Sequence, residues 1–206
     1  MISIKSVGSY IPEQVITNKN LVERFATDFD LENWIIGKTG ILERRTSKLC
    51  PSDQAVIAVK NAISNFEGEI DFIILNTFFG DCTVPQTATI IQQKLDLKDA
   101  FAIELNMPCA GPIYTLAMAD MFIKSQKYKI GLLIGVDKIL DAIDPEDYIM
   151  NALFGEGAGA VLVQSTSNDN GVVDFYLGST LDNKENDDYS LRLLAGKANY
   201  PFDQFD

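Results

Sequence analysis

Residues 104–120 read ELNMPCAGPIYTLAMAD, and the change of pattern inside them decides the fold. The run AFAIELN (100–106) is short, apolar and polar at its end, as a strand would be. From Ala110 to Gln126 the spacing is helical, with Ile113, Ala117, Met121 and Lys124, or Ile113, Leu116 and Asp120, on one face of a largely buried helix. Pro108 disfavours a helical backbone at Met107. Cys109 therefore falls on a strand-to-helix junction.

The same alternation extends in both directions. ISIKSVGSYI, IDFIILNTFF, YKIGLLIGVDKIL and GAGAVLVQS read as strands, and SDQAVIAVKNAISNFE and TATIIQQKLDL as helices. The runs 72–77 and 130–136 are dominated by apolar residues, which suits strands covered on both faces by helices. The expected fold class is α/β, a mixed, mostly parallel sheet between helices. Val56, Val59, Ala62, Ile63 and Phe66 share a helical face, with Ser52 as the expected cap. Residues 165–171 and 182–188 are polar and turn-rich, and read as loops.

With 206 residues and 47% apolar content, the chain has ample material for a core and fits one large domain or two small ones. Met1 is followed by no charged-then-apolar leader, and no apolar run approaches the roughly 18 residues of a membrane span. The expectation is a cytoplasmic protein with no membrane partner. Cys50, Cys82 and Cys109 lie far apart without a CxxC pair, which argues against a disulfide framework. A chain without histidine is poorly equipped for zinc. A net charge of -12 would repel a phosphate backbone, so no nucleic-acid partner is expected.

Local chemistry leaves two readings of Cys109 open. The positive end of a helix favours thiolate over thiol, and its free N–H groups can bind a developing oxyanion. Unpaired cysteine is also among the most buried residue types, and packing alone would explain it. Cys50 and Cys82 read as packing residues, with no helix start expected behind either. The glycines Gly155, Gly157 and Gly159 lack the spacing of a phosphate loop and lead into the apolar run AVLV.

Taken in order, SVGSYIPEQVITNKNL, ENWIIGKTGILERR, VPQTATIIQQKL, PCAGPIYTLAMAD, LLIGVDKILDAIDPED and LFGEGAGAVLV resemble the N-terminal half of β-ketoacyl-ACP synthase III, of the thiolase superfamily. The resemblance implies a single domain over 1–206, a thiolase-like half with layered βαβαβαββ order. It implies an acyltransferase in which Cys109 takes an acyl group from a thioester and passes it to the carbanion of decarboxylated malonyl-ACP. Acyl-CoA or acyl-ACP is then the substrate, with no cofactor. Trp34 falls on the residue that stacks on the coenzyme A adenine. Lys38 and Tyr148 stand where many relatives carry arginine, which weakens the case for coenzyme A as donor. Val84 stands where relatives often carry phenylalanine reaching across a dimer, and implies a roomier acyl pocket. Gly155 lets the backbone approach the substrate.

The resemblance also implies a histidine and an asparagine that promote decarboxylation, both in a C-terminal half absent from these residues. The expectation is a truncated chain, or one subunit of a split enzyme, that captures acyl groups without condensing them. The alternative is a non-catalytic binding or scaffold subunit of a heteromeric ketosynthase. Implied partners are an acyl carrier protein, met by Lys38, Arg44, Arg45 and Lys48, and either a second copy or a partner supplying the His/Asn-containing half.

Overall fold

The computed structural model describes residues 1–107, 109–166 and 171–179. The loop expected at 182–188 and residues 167–170 of the loop expected at 165–171 lie outside them, as does Pro108.

The described elements are β1 (Ile2–Tyr10), β2 (Gln14–Thr17), α1 (Asn18–Arg24), α2 (Leu31–Thr39), β3 (Glu43–Thr46), α3 (Pro51–Ala62) and β4 (Phe72–Asn76). They continue with α4 (Thr87–Lys94), β5 (Phe101–Leu105), α5 (Gly111–Lys124), β6 (Ile130–Asp137), α6 (Tyr148–Leu153) and β7 (Gly157–Ser165). Five strands form one sheet in the order β1-β7-β6-β4-β5. Strand β7 is antiparallel to both its neighbours, while β6, β4 and β5 pair in parallel. Four strands thus share one direction and the sheet is mixed, as its sequence pattern predicts.

Alternation along β4 feeds two cores. Ile73 and Leu75 pack with Ala55, Ala58 and Val59 of α3 and Ile91 of α4, whereas Phe72 and Ile74 pack with Ala119 and Ile123 of α5 on the other face. Both faces are covered, which is why this strand is apolar throughout until Asn76. At Gly8 a Cβ would collide with the Ala58 carbonyl and the Ala62 amide, so α3 lies backbone-to-backbone against β1. A third core joins α1, α2 and α6 beside the two-stranded ribbon of β2 and β3.

Three local expectations need correction. The buried face of α5 is Gly111, Thr115, Ala119 and Ile123, with Ala117 and Asp120, whereas Ile113 and Met121 are 54% and 62% exposed. Small residues face the sheet because the helix packs close to it. Ser52 is not the cap of α3: Cys50 occupies that position, and the Ser52 N–H and O–H both donate to Asp81 instead. Cys50 therefore does have a helix start behind it.

Candidate active site

The loops that follow the carboxyl ends of β4, β5 and β6 gather at one end of the sheet, where open α/β folds place ligands. There a cavity of about 530 Å³ is walled by Asn76 and Phe78 from β4 and its loop, Cys109, Ile139, and Phe154 and Gly155 from the entry to β7. Cys109 follows β5 and immediately precedes Ala110, the N-cap of α5. Its side chain is exposed and has no hydrogen-bond partner among the described residues. No side chain caps α5, and its first turn holds no acidic residue. The start of the helix is left to the cavity.

Two carboxylates missed by the sequence reading, the half-buried Asp137 and the buried Glu156, brace this site. Asp137, at the end of β6, lines the cavity and accepts from the Phe78 and Phe79 N–H groups at 2.6 and 2.8 Å and from the Thr77 hydroxyl at 3.3 Å. Burial pushes its carboxyl above the ordinary carboxylate range, against the pull of those three donors. Glu156, lying between two wall glycines, accepts from the Ser47 N–H at 2.7 Å and ties the entry of β7 to the chain following β3. Burial raises its carboxyl too, opposed by the Ser47 N–H. Their sequence signals were faint: a lone acid after an apolar run, and a lone acid among glycines.

The residues picked out from the sequence form separate groups. Cys109 and Gly155 share the cavity. Trp34 of α2 and Tyr148 of α6 meet edge-to-face, ring centres 6.1 Å apart, and Phe29 touches both. Lys38 is exposed one turn beyond Trp34. Helix α6 joins the groups, starting at Tyr148 and ending next to Phe154. Val84 is 84% exposed and does not line the cavity.

The basic cluster does not hold. Arg44 is 4% exposed and donates to the Ile16 carbonyl, Asn18 Oδ1 and the Ala152 carbonyl, while Arg45 pairs with Glu43 at 2.7 Å. Alternation on β3 turns Arg44 inward, so only Lys38 and Lys48 remain as exposed cations.

On the opposite side of the Phe78–Phe79 turn lies a second cavity of about 430 Å³, lined by Cys50, Phe79, Asp81 and Lys138. Among the described residues no group of three or more His, Cys, Asp or Glu could hold a metal ion, and no helix is long and apolar enough to cross a membrane.

The family profile of 3-oxoacyl-[acyl-carrier-protein (ACP)] synthase III matches residues 103–180, from β5 through the Cys109 turn and beyond β7. Over those residues the chain is similar to the β-ketoacyl-ACP synthase III family. It is 40% identical over 182 residues to the β-ketoacyl-ACP synthase III of Ehrlichia canis, covering 85% of this chain and 56% of that protein. A Halalkalibacterium halodurans relative is 39% identical over 181 residues, covering 85% and 54%. The solved synthase III from Pseudomonas aeruginosa superposes with a TM-score of 0.81 at 32% identity, covering 87% of this chain and 55% of that one. The Aquifex aeolicus structure gives 0.76 at 37% identity, covering 82% and 55%. The chain thus spans about half the length of the relatives it matches.

Proposed function

We propose that this chain carries the acyl-accepting half of a condensing enzyme of fatty acid or polyketide-type synthesis. The observation that carries the reading is an unpartnered Cys109 lining a cavity, before an uncapped helix, in a chain similar to this family. The Cys109 sulfur attacks the carbonyl carbon of an acyl thioester. A new C–S bond forms on Sγ, the old C–S bond breaks, and the donor thiolate takes up the proton that Cys109 lost. At the start of α5 Pro112 has no N–H and the Ile113 N–H donates to the Ala110 carbonyl, which leaves the Gly111 N–H to meet the thioester oxygen as it gains charge. The cavity behind, walled by Phe78, Ile139 and Phe154, suits an acyl chain.

In the whole protein the acyl group would pass to a carbanion from malonyl-ACP. The resemblance assigns decarboxylation to a histidine and an asparagine, and these 206 residues contain no histidine. We therefore assign capture without condensation to these residues, with the decarboxylating histidine supplied from outside them. The Trp34–Tyr148 contact places a ring where relatives offer an arginine, and Lys38 lacks the planar fork that grips phosphate. Both features support acyl-ACP over acyl-CoA as donor. Val84, smaller than the phenylalanine of relatives, supports acyl groups longer than acetyl.

The test incubates the purified protein with acyl-ACP and acyl-CoA of two to eight carbons and reads mass shifts by peptide. The expected result is one acyl group on Cys109, faster from ACP, without ketoacyl product. An unmodified Cys109 with every donor sinks the reading; equal rates from both donors sink only the donor preference.

A further inference from the structure

We infer that Asn76 is the positioning residue of the Cys109 turn. The inference takes its substrate from the proposed function, but its geometry stands independently. Asn76 ends β4, whose other four residues are apolar and fully buried, and it is itself only 8% exposed. It is the polar tip of a strand held on both faces, and it lines the Cys109 cavity.

Its amide touches the turn at both ends. Asn76 Oδ1 accepts the Met107 N–H at 3.3 Å, two residues before Cys109. The same amide fills the space that a Cβ on Gly111 would occupy, two residues after it. No other side-chain hydrogen bond reaches residues 106, 107 or 109–111 among the described residues. One short side chain from the neighbouring strand therefore fixes where the backbone enters and leaves the three-residue span carrying the thiol. Gly111 is glycine because Asn76 lies against it. Such a clamp matters because a displacement of about 1 Å costs a positioned nucleophile on the order of a hundredfold in rate.

The test measures, by peptide mass spectrometry, alkylation of Cys109 by iodoacetamide and its acylation by acetyl- and octanoyl-ACP, with the exposed thiol of Cys82 as internal reference. Asn76→Ala should lower the Cys109-to-Cys82 alkylation ratio and the acylation rate about tenfold. Gly111→Ala should lower both as well, reading the clamp from its other side if Asn76→Ala does not fold. In the double variant the overlap is gone, so it should react no more slowly than Gly111→Ala alone. An alkylation ratio that stays unchanged in Asn76→Ala overturns the proposal. Equal changes at Cys109, Cys82 and Cys50 would mean that Asn76→Ala does not fold, and Gly111→Ala then decides: an unchanged ratio there overturns the proposal. If the unaltered protein is never acylated but the ratio still falls, the acyl reading fails and Asn76 keeps its role.

Discussion

Two cysteines in this molecule stand at helix starts, and only one is dressed for chemistry. Cys50 caps α3, yet its thiol donates to Asp53 Oδ2 at 3.0 Å, lies 3.3 Å from Ser52 Oγ and receives Lys94 Nζ at 3.8 Å. The helix N–H of Ser52 is already taken by Asp81 at 2.8 Å. Cys109 stands before α5 with no hydrogen-bond partner among the described residues, and no side chain on the helix end. A helix start does not by itself make a nucleophile. What separates the two sites is whether neighbouring side chains have already filled it.

The largest effect should come from exchanging the two thiols in turn. Cys109→Ala should reduce acylation to background, whereas Cys50→Ala should leave it unchanged, both read by peptide mass; acyl groups surviving Cys109→Ala on Cys50 would erase the contrast. An intermediate effect is expected from Asp81→Ala, which strips the α3 start of its non-local partner. It should cost about 1–2 kcal/mol in urea unfolding without slowing Cys109 acylation, so a matching loss of acylation would show that the two starts are not independent.

The smallest effect concerns Asp137, which holds the turn between the two cavities. Its folded carboxyl titrates above the ordinary range because of burial. The folded state therefore binds its proton more readily than the unfolded chain, and stability falls as pH rises from the ordinary carboxylate value of about 4 through that raised value. Asp137→Asn retains an oxygen for the Phe78 and Phe79 N–H groups and should flatten that part of the stability curve. An unchanged slope in melting temperature against pH would locate the titration elsewhere. Asp53 has the opposite sign: the hydrogen bond from Lys94 lowers its carboxyl, so its contribution is present above the ordinary value and lost as pH falls.

Much of this was legible because period and burial coincide. Buried runs such as 72–76 and 130–136 could only be covered strands, and the Cys109 junction followed from the change of period around Pro108. What escaped was non-local. Asp81 caps a helix from 29 residues away, and no local pattern announces that. Ser52, adjacent to the cap, looked the obvious candidate only because the partner was out of view. Arg44 looked like part of a basic patch, although alternation within ERRT already turned it inward. On α5 apolarity suggested the wrong face, because the close sheet selects small side chains there and leaves Ile113 and Met121 outside. Asn76 was hidden for a related reason: its importance lies in Met107 and Gly111, about 30 residues later in the chain.

The turn after β4 has one more consequence. Phe78 faces the Cys109 cavity and Phe79 the Cys50 cavity, while along β6 and its exit Asp137 and Lys138 divide in the same way. Neighbouring residues of the same two segments thus line different chambers, and Asp137 holds the turn between them through the Phe78 and Phe79 N–H groups. A fluorophore attached to Cys50 would therefore line the neighbouring chamber, and a change in its emission on adding an acyl thioester would report whether the Cys109 cavity fills.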